Sequence, residues 1–109
     1  MRHFAPRALA LALVFAAPSA AHAAPAPASV TVVIKNFDFS PMAVTAPVGA
    51  SVTWKNLDPE PHTVTSDVGL FHSGALDQDE SFTYRFDKPG VYHYVCSIHP
   101  RMMGSITIK

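Results

Sequence analysis

From residue 30 to the end of the chain, apolar and polar residues alternate in short runs, and no segment keeps a helical period for three turns. Val30, Val32 and Ile34 alternate against Thr31 and Lys35, which predicts a half-buried strand over 30–35. Residues 36–41 hold two aromatics, Phe37 and Phe39, end in Ser40-Pro41 and read as a turn. Extended segments at 42–45 and 51–55 flank a second turn at Pro47-Val48-Gly49. A loop rich in Pro and Asp over 56–61 leads into 62–65, and 66–79 is irregular, with Gly69 and Gly74. Over 81–86, Phe82, Tyr84 and Phe86 alternate with Thr83 and Arg85, and Asp87-Lys88-Pro89-Gly90 then turns the chain. The strand predicted over 90–96 places Tyr92, Tyr94 and Cys96 on one face and Val91, His93 and Val95 on the other. A last strand covers 104–108. Seven to eight short strands rich in β-branched and aromatic residues predict an all-β fold, an antiparallel β-sandwich. Trp54, Phe82, Tyr84, Phe86, Tyr92 and Tyr94 are its expected core.

The first residues break this pattern. Arg2, His3 and Arg7 make a basic start, 8–17 is almost wholly apolar, and Ala21-His22-Ala23 offers a small-x-small cleavage site. Residues 1–23 therefore read as a secretory signal peptide, too short in its apolar run for the ~20 residues that span a bilayer. Residues 24–29 read as a Pro/Ala tether, and 30–109 as one small domain. Cleavage takes Lys plus Arg from 8 to 6 against 8 Asp plus Glu, a formal charge of −2. Neither value is the footprint of a nucleic-acid binder, and no second apolar run predicts a membrane span. The acidic cluster Asp77, Asp79 and Glu80 reads as a solvated turn, since a calcium loop needs more oxygen ligands at a set spacing.

The chemistry lies near the other end. The chain has one cysteine, so no internal disulfide can form, and cysteine count alone fits a metal ligand and a buried apolar thiol equally well. The spacing adds more. In Cys96-Ser97-Ile98-His99-Pro100-Arg101-Met102 a thiol, an imidazole and a thioether share one short loop, which is cheap to close. His62, opening a strand after a Pro-rich loop, is the best candidate for a donor from elsewhere in the fold. A thiolate, two imidazoles and a weak thioether suit both oxidation states of copper. Zinc would accept most of this set, but structural zinc sites rarely use methionine. Met103 reads as an apolar cover beside Met102, and His72 and His93 as surface histidines. A Cys96–His99 nucleophile pair lacks an orienting third group.

Four blocks carry a family resemblance: Phe37-x-Phe39-x-Pro41; Gly49-x-x-Val52-x-Trp54-x-Asn56-x-Asp58; Pro61-His62-Thr63-Val64; and Gly90-Val91-Tyr92-x-Tyr94-x-Cys96-x-x-His99-Pro100. Together they resemble the cupredoxin, or small blue copper, family across 30–109. The two-residue gap between His99 and Met102 is similar to that of amicyanin, the plastocyanin loop being longer there. The resemblance implies a Greek-key sandwich holding one type 1 copper ion, with His62, Cys96, His99 and Met102 as ligands. It also implies a periplasmic one-electron carrier, not an enzyme, that meets donor and acceptor proteins briefly as a monomer. Contact is expected near His99, among apolar neighbours such as Pro100, Met42 or Pro61. A copper carrier or resistance protein would use the same ligands. One position departs from the pattern: Thr63 stands where amicyanin and several relatives carry an asparagine that ties the ligand loops together. The Thr63 hydroxyl is expected to reach that loop through Ser97.

Overall fold

The computed structural model describes residues 2–6, 8–17 and 28–109. Residues 2–6 and 8–17 are exposed and carry no helix or strand, while the expected cleavage site and tether residues 24–27 lie outside the described residues. The remainder folds as eight strands: β1 (Ser29–Lys35), β2 (Asp38–Ser40), β3 (Ala43–Ala46), β4 (Ser51–Asn56), β5 (Thr65–Ser66), β6 (Ser81–Arg85), β7 (Gly90–Val95) and β8 (Met103–Ile108). They form two four-stranded sheets, ordered β2-β1-β4-β6 and β3-β8-β7-β5. Among the described residues there is no helix, hence none long and apolar enough to cross a membrane.

The period-two pattern sets which side chains lie between the sheets. Val32 and Ile34 of β1, Val52 and Trp54 of β4, Tyr94 of β7 and Ile106 of β8 are all fully buried. Phe82, Tyr84 and Tyr92 pack against this core while remaining partly exposed. The sandwich matches the expectation in class and strand number, but its sheets are mixed. β1 and β4 run parallel, as do β3 and β8. The chain crosses to the second sheet after β2 and returns after β3, so β4 comes back beside β1 pointing the same way. Alternation records which face is buried and carries no signal of strand direction.

Two further features escaped the pattern. Residues 38–40, read as part of a turn, pair with β1 as a short antiparallel strand. The turn itself is two residues long, with Asn36 and Phe37 both left-handed (φ 53° and 59°). Inside the irregular stretch, Phe71 and Leu76 are core residues. Phe71 meets Trp54, Phe82, Tyr84 and Phe86 at ring-centroid distances of 4.8–6.4 Å.

Tyr94 is packed but unpaired. Neither its hydroxyl nor the Trp54 Nε1–H has a hydrogen-bond partner among the described residues. Burial pushes the phenol up to about 12, with only partial relief from the Trp54 indole beside it. A raised folded-state value means that the protonated form is favoured by folding. This contribution is intact below the ordinary value of 10.0 and is lost as pH rises through about 12. Wild-type protein is therefore expected to lose up to roughly 1.4 kcal/mol per pH unit across that window through this group. Tyr94→Phe should stay within about 1 kcal/mol of wild type at pH 7, because a buried unsatisfied hydroxyl is removed. Urea melts of both proteins at pH 7 and 11 check this; equal alkaline losses would show that Tyr94 is not responsible.

Candidate metal centre

Cys96 directly follows β7, and its side chain is wholly buried at one end of the sandwich. The loop after it closes on itself: the Cys96 amide donates to the Met102 carbonyl at 3.0 Å, and the Met102 amide to the His99 carbonyl at 2.9 Å. These bonds fix the loop ends so that His99 stands half-buried at the rim while Met102 is buried. His62 comes from the opposite side of the site, also fully buried. Its backbone exchanges two hydrogen bonds with Leu76, N to O at 3.1 Å and O from N at 2.7 Å, so the irregular stretch anchors it as a strand would.

Three donor atoms converge. The Nδ1 atoms of His62 and His99 each lie 3.8 Å from Cys96 Sγ, and the three donors are all within 4.8 Å of one another. Donors around one trigonal ion, with arms of about 2.0–2.3 Å, stand roughly 3.5–4 Å apart. The two sulfur–nitrogen distances fall in that range, so the residues fit a small metal ion. The donor chemistry, one thiolate with two imidazoles, fits copper.

The surrounding bonds orient these groups. Asp58 Oδ2 lies 2.9 Å from His62 Nε2, which places the proton on Nε2 and turns the Nδ1 lone pair inward. Asp58 is itself held by the backbone amides of Asn36 (2.8 Å) and Phe37 (2.9 Å). Burial pushes its carboxyl up, but the Phe37 and Asn36 amides and the His62 ring outweigh burial and hold it below the usual carboxylate range. The Thr63 amide points at Cys96 Sγ (3.3 Å), withdrawing electron density from the sulfur. The Thr63 hydroxyl sits 2.9 Å from Ser97 Oγ and accepts the Ser97 amide at 2.8 Å. Threonine thus ties the two ligand loops together, as expected from sequence. Thr63→Val keeps the shape and strands the Ser97 amide, so a loss of about 1–3 kcal/mol is expected. A thermal melt of the two proteins in the same metal state checks it; an unchanged Tm would mean that water replaces the hydroxyl.

The structure brings His62, Cys96 and His99 together and buries Met102 at the end of their loop. His72 is exposed, with Nδ1 3.0 Å from Thr65 Oγ1, and His93 is exposed on the outward face of β7, so neither joins the cluster. Sequence reasoning missed Phe37. Its ring stands edge-on to both His62 and His99, each at 5.0 Å between centroids and 87° between planes. The φ > 0 turn that aims it has no hydrophobic period to signal it. Met42 is exposed and lines a hollow with His93 and Met103.

A family model for the cupredoxin-like domain matches residues 7–108. The chain belongs to the cupredoxin family. A purple cupredoxin from Nitrosopumilus maritimus shares 34% identity with this cupredoxin, over 73% of this chain and 99% of that one, with a TM-score of 0.69. The Cu(I) form of an amicyanin variant shares 25% identity over 77% and 85% of the two chains, with a TM-score of 0.72. A copper-containing nitrite reductase from Thermus scotoductus shares 34% identity over 86% of this chain but only 25% of its own, with a TM-score of 0.71. No curated protein matches. Fold, family and donor set agree on copper: in this cupredoxin His62, Cys96 and His99 are positioned as a copper-ligand site.

Proposed function

We propose that this cupredoxin is a periplasmic one-electron carrier, with His62, Cys96 and His99 as strong copper ligands and Met102 as the weak fourth. The observation that carries the reading is the locked donor triangle. Each histidine places Nδ1 at 3.8 Å from the sulfur, and Asp58, Thr63 and the Cys96–Met102 turn restrain the groups that bear the donors. Copper held there supplies a one-electron couple at a site that need not rearrange. The chain's own part is positioning. Asp58 holds the His62 tautomer, the buried surroundings keep water from the sulfur, and half-buried His99 offers the short route to a partner.

Beside His99 the exposed Pro100 and Phe37 give a small, weakly polar rim, suited to brief complexes that bury little area. The protein would act as a monomer, with no substrate of its own and no catalytic role. The basic start, apolar run and Ala21-His22-Ala23 support export, with residues 1–23 removed as a signal peptide and 24–29 left as a tether. A copper-delivery protein would use the same ligands, but delivery favours donors that let go, and rigid restraint favours electron transfer.

The test is a visible absorption titration of apo-protein with Cu(II), beside Cys96→Ser. An intense blue or purple band saturating at one copper, lost in the variant, is expected. Weak absorption that survives Cys96→Ser would place copper on other ligands and move the delivery reading ahead.

A further inference from the structure

The outward face of β3, β8 and β7 carries a second gathering of soft donors, away from the buried centre. Met42, Ala43, His93, Met103, Gly104 and Ser105 line one hollow there. Strand register explains how residues so distant in sequence meet. Ser105 stands opposite His93 on one side and Ala43 on the other, and its amide donates to the Met42 carbonyl at 2.9 Å. Met103 lies two residues before Ser105, on the same face, and is therefore a diagonal neighbour of His93. Diagonal cross-strand neighbours are within reach of each other when their side chains are long. Met42 and Met103 are 62% and 59% exposed, and His93 is exposed beside them.

A single exposed methionine needs no explanation. Two thioethers and an imidazole around one hollow, with no carboxylate lining it, form a neutral, soft donor set. Calcium and magnesium require oxygen ligands, and zinc favours thiolate, imidazole and carboxylate. Thioether and imidazole donors without charge suit monovalent copper. We propose that Met42, Met103 and His93 form a surface site for Cu(I), distinct from the His62–Cys96–His99 cluster. Consecutive residues differ in burial: Met102 is buried and Met103 is exposed on the outward face. The outer site binds Cu(I) as it arrives, with no change of oxidation state. It rests on its own donors and stands or falls apart from the reading of the buried centre.

An anaerobic Cu(I) titration of the full chain, buffered by a chromophoric Cu(I) chelator and followed through ¹³C-labelled methionine methyls, tests it. The Met42 and Met103 methyls are expected to shift together on a further equivalent, after the buried centre has filled. Met42→Leu/Met103→Leu should lose that equivalent and keep the Cu(II) absorption band at full intensity. Cys96→Ser should keep the outer equivalent while losing the inner one. The proposal is overturned if the Met42 and Met103 methyls stay in place under excess Cu(I). It is equally overturned if the outer equivalent persists in the double variant. A Met102 methyl that fails to shift would count against the ligand set of the buried centre alone.

Discussion

Asp58→Ala is expected to lower stability by about 3 kcal/mol and to weaken copper binding about 10- to 100-fold. The carboxylate accepts the Asn36 and Phe37 amides and the His62 Nε2–H, so its removal strands three donors at once. Two of these donors are amides of a turn whose residues are both left-handed, a backbone state that bulky residues adopt only when bonds hold it. The third donor fixes the ring that offers Nδ1 to the metal. Loss of Asp58 therefore frees the Phe37 ring edge and the His62 ring together. Asp58→Asn keeps one acceptor oxygen and should fall between wild type and alanine on both measures. Urea melts of the apo-proteins give the first measure and competition with a copper chelator the second. An unchanged copper affinity beside a large stability loss would mean that Asp58 serves the fold alone.

Gly104→Ala should be the most damaging small substitution in the second sheet. Gly104 is buried on β8 directly opposite Tyr94 on β7, and the phenol lies over its Cα. A Cβ there would overlap the Tyr94 hydroxyl and ring carbons. Tyr94 cannot swing aside, because Phe39 and Trp54 pack edge-on against it at 4.7 Å and 5.3 Å. Overpacking of this kind is expected to remove about 3 kcal/mol. For a domain of this size that is roughly 12–24 °C in Tm. In a Tyr94→Phe background the loss should shrink by about 1 kcal/mol, because one overlapping atom is gone, and a double-mutant cycle measures that coupling. Additive losses would locate the strain elsewhere than at the phenol.

These cases show which parts of the molecule were legible in the amino-acid sequence. The donor pair Cys96 and His99 was, because the two lie three residues apart and their chemistry is distinctive. Strand faces were, because burial imposes a period of two: Val32, Ile34, Val52 and Trp54 are buried as that period requires. Strand direction was not, since a reversed strand keeps the same alternation, and two parallel pairs went unforeseen. Phe71 and Leu76 hid in a stretch with no period, where tertiary contacts alone choose what is buried. Asp58 stood in a recognisable motif, yet its bonds to residues 22 and 21 positions earlier had no local signature.

The lengths of the outer strands have a consequence for crowded solutions. Three of the four edges, β2, β3 and β5, are only 3, 4 and 2 residues long. The fourth, β6, is five residues long and carries exposed Thr83 and Arg85. An incoming chain seeking to extend either sheet finds a truncated ladder on three sides and a cation on the fourth. Self-templated stacking into fibrils is thereby discouraged, and the sheet rims are left inert toward other copies.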